Sequence, residues 1–278
     1  MKEKYALIPP NDLNKIIETI KKTRGFDFSN YAKESFQRRI KRILVLYNLT
    51  DIDVLLDNIE NDIEFYKKFI KEITVNTTEA FRDPTMWLYL RNVLLENFKK
   101  REKIAIWHAG CSIGLEVYSM CILLKEMGLW DRTTLTATDI NSDVIEKAKS
   151  GIYDLKEYQT MYNSYIASGG NPLDFNYVVK QDKWFQIDTD LISNCTFKEF
   201  DLVGDDAFDK FDIILCRNVI IYFDEHLQEK VFGTFYNSLN INGKLILGKT
   251  ESMNWSSFAR KFDSINPQER IYKLRSQE

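Results

Sequence analysis

Up to about residue 100, apolar positions recur every three or four residues. The pattern runs through LNKIIETIKK (13–22), SFQRRIKRILVLY (35–47), DVLLDNI (53–59), EFYKKFIKEI (64–73) and WLYLRNVLLENF (87–98). That spacing puts the apolar side chains on one face of a helix. Gly25, Thr50-Asp51 and Asp83-Pro84 separate the segments as breakers. From Lys103 the texture changes to short β-rich runs, each followed by a helical pattern: IAIW then VYSMCILLKEM, LTATDI then DVIEKAKS, FDIILC then LQEKVFGTFYNSL, and finally KLILG. Alternation of this kind predicts a parallel, doubly wound α/β sheet. FDSI and RIYKL, separated by NPQE, read as a closing antiparallel hairpin. Tyr158 to Phe200 is aromatic and polar with no clean helical period, and part of it reads as a small β insertion. The expected organisation is a helical domain over 1–74, a linker segment and helix over 75–102, and an α/β domain over 103–278 with the insertion near 170–195.

Composition sharpens this picture only slightly. A chain of 278 residues, 44% hydrophobic with 18 Phe, 14 Tyr and 5 Trp, can fill more than one core. The start lacks an apolar signal core, and no apolar run approaches the roughly 18 residues of a membrane span, so a cytoplasmic protein without membrane insertion is expected. Cys111, Cys121, Cys195 and Cys216 are widely spaced, which suggests neither a metal site nor a disulfide framework. A net charge of -3 offers no general attraction to nucleic acid.

Candidate chemistry lies at the ends of the predicted strands, where open α/β sheets bind ligands. Gly110 and Gly114 follow the first strand as G-x-x-x-G, which is either a packing turn or the cradle of a nucleotide-like ligand. Asp139 ends the second strand, where a ribose diol would find a bidentate acceptor. Its other reading, a helix cap, competes with Asn141 and Ser142, which can cap that helix themselves. Asp201-Leu202 follows a third strand and Arg217-Asn218 a fourth. Glu116, in the first turn after the glycine loop, would repel a pyrophosphate but suits the helix dipole and a cationic ligand group. S-adenosylmethionine, with an adenosine, an ammonium and a sulfonium but no phosphate, matches these residues better than a dinucleotide.

Three stretches carry a family resemblance. ITVNTTEAFRDP (73–84) resembles the T-x-N-x-T-x-F-F-R element of the CheR family, the protein-glutamate methyltransferases of bacterial chemoreceptors. GCSIGLEVYSMCI (110–122) resembles its A-x-S-x-G-E-E-P-Y-S-I loop, and CRNVIIYFD (216–224) its C-R-N-V-x-I-Y-F run. The resemblance implies a Rossmann-like class I methyltransferase sheet, with a small N-terminal all-α domain and a small β insertion. It implies S-adenosylmethionine as methyl donor, S-adenosylhomocysteine as product and no metal. It also implies that Asn76, Thr78 and Arg82 reach the methionine end of the cofactor with Glu116 nearby, Asp139 the ribose, and Asp201 and Leu202 the adenine. Arg217 and Asn218 would close the site beside the methyl. The chain departs from the family pattern at Ala80, Leu115, Val117 and Asp201.

Methylating a glutamate needs no strong base, because a carboxylate with a pKa of about 4.3 is already an anion at neutral pH. Positioning and exclusion of water should carry the rate. Arg82 is the first candidate to orient a carboxylate, through two parallel hydrogen bonds. Tyr222 is either a core aromatic or a group that reaches the sulfonium or the acceptor. His108 and His226 are expected to be a packing residue and a solvated one. On the helix 35–47, Phe36, Ile40, Ile43, Leu44 and Tyr47 fall on one side and Arg38, Arg39, Lys41 and Arg42 on the other. By the resemblance, that basic face docks on the acidic cytoplasmic helical bundle of a chemoreceptor; a monomer is expected. Phe175, Tyr177, Trp184 and Phe185 are expected to form a mini-core of the insertion. Two rivals are a non-catalytic cofactor-binding signalling module, motivated by Ala80, Leu115 and Val117, and a nucleic-acid methyltransferase.

Overall fold

The computed structural model describes residues 8–24, 28–73, 78–206 and 209–276. The chain divides into two compact units, one formed by residues 1–75 with 220–228 and the other by 76–219 with 229–278.

The first unit contains α1 (Pro10–Arg24), α2 (Lys33–Leu46), α3 (Ile52–Asn61) and α4 (Ile63–Ile73). Each helix buries the stripe its sequence period defines: Ile16 and Ile20, Phe36, Ile40 and Ile43, Leu55 and Ile59, and Phe65 and Phe69 meet in one core. Full burial of such side chains stabilises the unit by about 1.5–3 kcal/mol each. The helix starts are set locally. Asp51 caps α3 by accepting from Val54 N at 3.0 Å, and Asp62 Oδ1 accepts from Glu64 N and Phe65 N ahead of α4. The segment 220–228 is anchored in this unit by Ala32 N to Tyr222 O and Asp224 N to Asn30 O, both 2.9 Å.

The second unit begins with α5 (Pro84–Tyr89), which continues through one widened turn at Leu90–Leu94 and a tight turn at Leu95–Phe98. The predicted helix at 87–98 is therefore irregular, yet Leu90, Leu94, Leu95 and Phe98 remain buried. Then follow β1 (Ile104–Ala109), α6 (Leu115–Glu126), β2 (Thr133–Asp139), α7 (Ser142–Ser150), β3 (Ile152–Asp154), α8 (Leu155–Ala167), β4 (Val178–Lys180), β5 (Trp184–Ile187), β6 (Cys195–Glu199) and β7 (Phe211–Cys216). The unit ends with α9 (Glu225–Ser238, whose first turns group with the helical unit), β8 (Leu239–Leu247), β9 (Phe262–Asn266) and β10 (Ile271–Leu274).

Seven strands form the main sheet in the order β6-β2-β1-β7-β8-β10-β9. The pairs from β6 to β8 are parallel, and β10 runs antiparallel to both β8 and β9. The hairpin expected at the end of the chain thus closes the sheet. β7 is buried at every position, and α6 buries Leu115 and every residue from Val117 to Leu124. Such all-round burial is why these segments read as continuous apolar runs rather than alternating ones. The chain leaves β1 toward β2 on one side and returns as β7 on the other, so the strand order switches direction between β1 and β7. Ligand crevices form outside the carboxyl ends of strands at such a point.

The insertion is a three-stranded antiparallel sheet ordered β3-β5-β4. Two expectations fail here. The stretch from Tyr158 is helical, because Asp154 caps α8 (Oδ1 accepts from Lys156 N, 2.9 Å) and Met161 and Tyr165 repeat at helical spacing toward the core. Nor is the insertion a separate mini-core: Tyr153, Tyr165, Tyr177 and Phe185 pack in one cluster with Ile106, Leu123 and other residues of the main sheet and its helices. Trp184 is left exposed. No helix among the described residues is long and apolar enough to cross a membrane.

Candidate functional site

The loop after β1 is shaped by the strand beside it. Gly110 N and Cys111 N both donate to Thr138 O at 2.8 Å, and Ser112 N donates to Asp139 Oδ2 at 2.8 Å. Asp139 Oδ1 accepts from Asn141 N at 3.0 Å. One carboxylate therefore spans the ends of β1 and β2. Burial raises its pKa, and backbone N–H groups of Asn141, Ser112 and Ile140 offset this only in part. Gly114 caps α6 at φ 86°, where a Cβ would stand 2.6 Å from Ala148 Cβ. Only glycine lets α6 start so close to α7.

Glu116 leaves the first turn of α6 and meets two side chains. Its Oε2 accepts from Arg217 Nη1 at 2.7 Å, and its Oε1 lies 3.3 Å from His108 Nδ1. Arg217 Nη2 donates to Asp83 Oδ2 at 2.5 Å and to Arg82 O at 3.2 Å. The Arg217 side chain is 1% exposed and would be costly to bury with fewer anions around it. Burial pushes the Glu116 carboxyl up, but Arg217 and His108 outweigh it, and its pKa ends below the ordinary value. The cation that sequence reasoning assigned to a ligand is thus supplied first by the protein.

Residues 80–83 are pinned from several sides: Phe81 N donates to Ser119 Oγ at 2.9 Å and Trp87 Nε1 to Arg82 O at 3.0 Å. The half-buried Arg82 side chain has no hydrogen bond or ion pair among the described residues. Phe81, Asp83, Ser112 and Asn218 all hold positive φ, at 51°, 57°, 50° and 59°. Left-handed backbone on a non-glycine residue costs about 1–3 kcal/mol and gathers at functional sites.

The loops after β7 and β8 are joined by a residue the sequence did not single out. Buried Glu251 accepts from Asn218 N and Val219 N at 2.9 Å and from Gly248 N at 2.6 Å. Next to it, Lys249 Nζ donates to Thr85 Oγ1 at 3.1 Å and lies 3.6 Å from Glu269 and 4.0 Å from Asp83. Asp83, His108 and the Lys249–Glu251 loop come from three separate segments, so no local spacing could have grouped them.

Of the other expected residues, half-buried Asp201 accepts from Val203 N at 2.9 Å, and Leu202 is buried, both just past β6. Thr78 is half-buried without a hydrogen bond among the described residues. Asn76 lies outside the described residues. Tyr222 belongs to the helical unit, where the Arg39 guanidinium lies 5.4 Å from its ring centroid. On α2, Arg39 Nη1 donates to Glu72 O and Arg42 Nε lies 3.4 Å from Glu72 Oε2, so α4 brings an acid to the basic face. Arg38 is exposed and Lys41 half-buried. His226 is exposed, and His108 is buried against Glu116.

Buried polar atoms without partners test whether a nucleoside-type ligand fits. Ser112 Oγ and Asn141 Nδ2 belong to the two residues whose backbone N–H groups bond Asp139, and each is buried with no hydrogen-bond partner among the described residues. A group with hydroxyls and ring nitrogens would satisfy them, whereas a carboxylate in the first turn of α6 is unsuited to phosphate. No metal-holding group of three His, Cys, Asp or Glu side chains occurs among the described residues.

The sheet order and closing hairpin form a Rossmann-like fold with acids at its strand ends, the fold class of the methyltransferases that use S-adenosylmethionine. Residues 76–271 match the family model "CheR methyltransferase, SAM binding domain" and residues 11–74 match "CheR methyltransferase, all-alpha domain". The chain belongs to the CheR methyltransferase family. It is 34% identical over 262 residues to "Putative methyltransferase Cher3" of Pseudomonas putida, covering 94% of this chain and 96% of that one. It is 30% identical to a chemotaxis protein methyltransferase of Salmonella typhimurium (89% and 85% covered) and 28% identical to one of Escherichia coli (94% and 90%).

Proposed function

We infer that this protein methylates glutamate side-chain carboxylates of bacterial chemoreceptors, forming methyl esters in chemotactic adaptation. The observation that carries this reading is a single one. An all-α unit with a basic face and a cofactor-binding sheet occur in one chain, matched along most of its length by relatives named as chemotaxis methyltransferases. When bound, S-adenosylmethionine would supply an electrophilic methyl to the acceptor carboxylate, its sulfur keeping the electron pair of the S–C bond that breaks.

The chain's own residues bind and orient. Asp139 accepts from the ribose hydroxyls, while Ser112 Oγ and Asn141 Nδ2 offer further polar contacts beside it. Asp201 and Leu202 flank the adenine. Arg82, with Asn76 and Thr78, would take the cofactor's carboxylate, which suits a guanidinium with no partner among the described residues. Glu116 lies near the ammonium but is shared with Arg217. Asn218 closes the site, and Tyr222, four residues on, is the candidate to face the acceptor. No proton has to be removed from an ionised acceptor, consistent with His108 being turned onto Glu116.

Ala80, Leu115 and Val117, where the chain departs from its family, are all buried apolar residues. Each therefore fits the packing around the site, which supports an intact cofactor cradle. Incubation with methyl-labelled cofactor and a soluble receptor signalling fragment tests the reading: base-labile methyl esters on glutamate are expected. Binding of cofactor without any ester would leave only a binding module, and label on nucleic acid would overturn the substrate class.

A further inference from the structure

The ionic groups at the site form a ladder in which Glu116, Arg217, Asp83, Lys249 and Glu269 alternate in sign. Its inner end is closed. Arg217 is 1% exposed, with short bonds to two carboxylates, and cannot turn to an incoming anion without abandoning them. The outer end is open. Lys249 is 43% exposed, and its acid partners stand at 3.6 and 4.0 Å, beyond a good charge-assisted hydrogen bond. Lys249 also follows Gly248, which packs so closely on Asn218 that a Cβ there would lie 2.9 Å from Asn218 N.

Of the two acids that face Lys249, Asp83 is already held by Arg217 at 2.5 Å, so the ammonium keeps charge to offer an incoming acceptor carboxylate. Arg82 is engaged by the cofactor's carboxylate in the function proposed above, on which this step rests. The geometry points to Lys249 as the residue that receives the acceptor carboxylate. Its ammonium exchanges the long contacts to Asp83 and Glu269 for one oxygen of the incoming carboxylate and leaves the other oxygen to react. A flexible four-carbon stem ending in a compact charge suits such an exchange. Lys249 thereby selects an anionic acceptor over its amide.

A double-substitution cycle on the full-length protein saturated with S-adenosylhomocysteine tests this. Binding is measured for a soluble receptor fragment carrying glutamate or glutamine at its methylation positions, against the native protein and Lys249→Gln. Native protein should prefer the glutamate fragment about five- to tenfold, and Lys249→Gln should abolish the preference. Lys249→Arg should retain most of it, and the affinity of all three proteins for S-adenosylhomocysteine should agree within about twofold. An unchanged preference in Lys249→Gln, or an equal loss of cofactor affinity, overturns the assignment. So does a preference that vanishes in Arg82→Gln but survives in Lys249→Gln. If the native protein shows the Lys249-dependent preference yet forms no ester, the methylation reading fails and the carboxylate site stands.

Discussion

Glu116 shows how one residue can serve both packing and chemistry. Its carboxylate neutralises a buried arginine, and that arginine donates to the Arg82 carbonyl and the Asp83 carboxylate, beside the left-handed backbone of Phe81 and Asp83. Glu116→Gln should therefore destabilise the protein by about 2–3 kcal/mol, since Arg217 keeps only one anion, and denaturant melts would show it. The pH dependence follows from the lowered pKa. The stabilisation by Glu116 is present above the unfolded value of about 4.3 and is lost as pH falls through the lower folded value; Glu116→Gln should flatten that acid limb. Asp139 has the opposite sign, with a raised pKa. Ribose binding wants the ionised form, so affinity for S-adenosylhomocysteine should begin to fall on acidification at a higher pH than for an ordinary aspartate. Titration calorimetry across the acid range should show that fall in the native protein and a weak, flat profile in Asp139→Asn.

At the level of elements, the cofactor cradle depends on how closely α6 can start beside α7. Gly114→Ala places a methyl 2.6 Å from Ala148 Cβ and forces a positive φ, so a loss of at least about 2 kcal/mol and weakened cofactor binding are expected. Gly128 also holds a positive φ, but nothing lies within 4 Å of a Cβ there. Gly128→Ala should cost only the backbone term, about 1 kcal/mol, and leave cofactor affinity unchanged. Differential melting of the two variants with and without S-adenosylhomocysteine separates the effects. The strands and most helices were legible because their apolar period is local. α8 was not: its aromatic and polar residues blur the period, and it becomes regular only where the core selects Met161 and Tyr165.

At the scale of the whole molecule, a net charge of -3 coexists with a concentrated basic face on α2. Sequence reading took all four cations as available, but Glu72 lies against Arg39 and Arg42. Arg38, exposed and without an ion pair among the described residues, is then the informative position. Arg38→Glu should raise the KM for a receptor fragment several-fold, and more at low salt, because exposed charges are screened over about 10 Å at 0.1 M. Affinity for S-adenosylhomocysteine should not change. A salt-independent KM in the native protein would count against electrostatic docking.

Periodicity, read from the chain alone, determined the class of fold, because it depends on neighbours within a turn or a strand, and the strand-end residues together with the CheR-like motifs pointed to S-adenosylmethionine. Which charges meet was decided only by tertiary structure. Asp83, His108, Glu116, Arg217 and the loop of Lys249 and Glu251 belong to five different loops, strands and helix starts, and the sheet brings them together. An ion pair depends on distance in space, and the sequence order of residues so far apart carries almost no information about that distance.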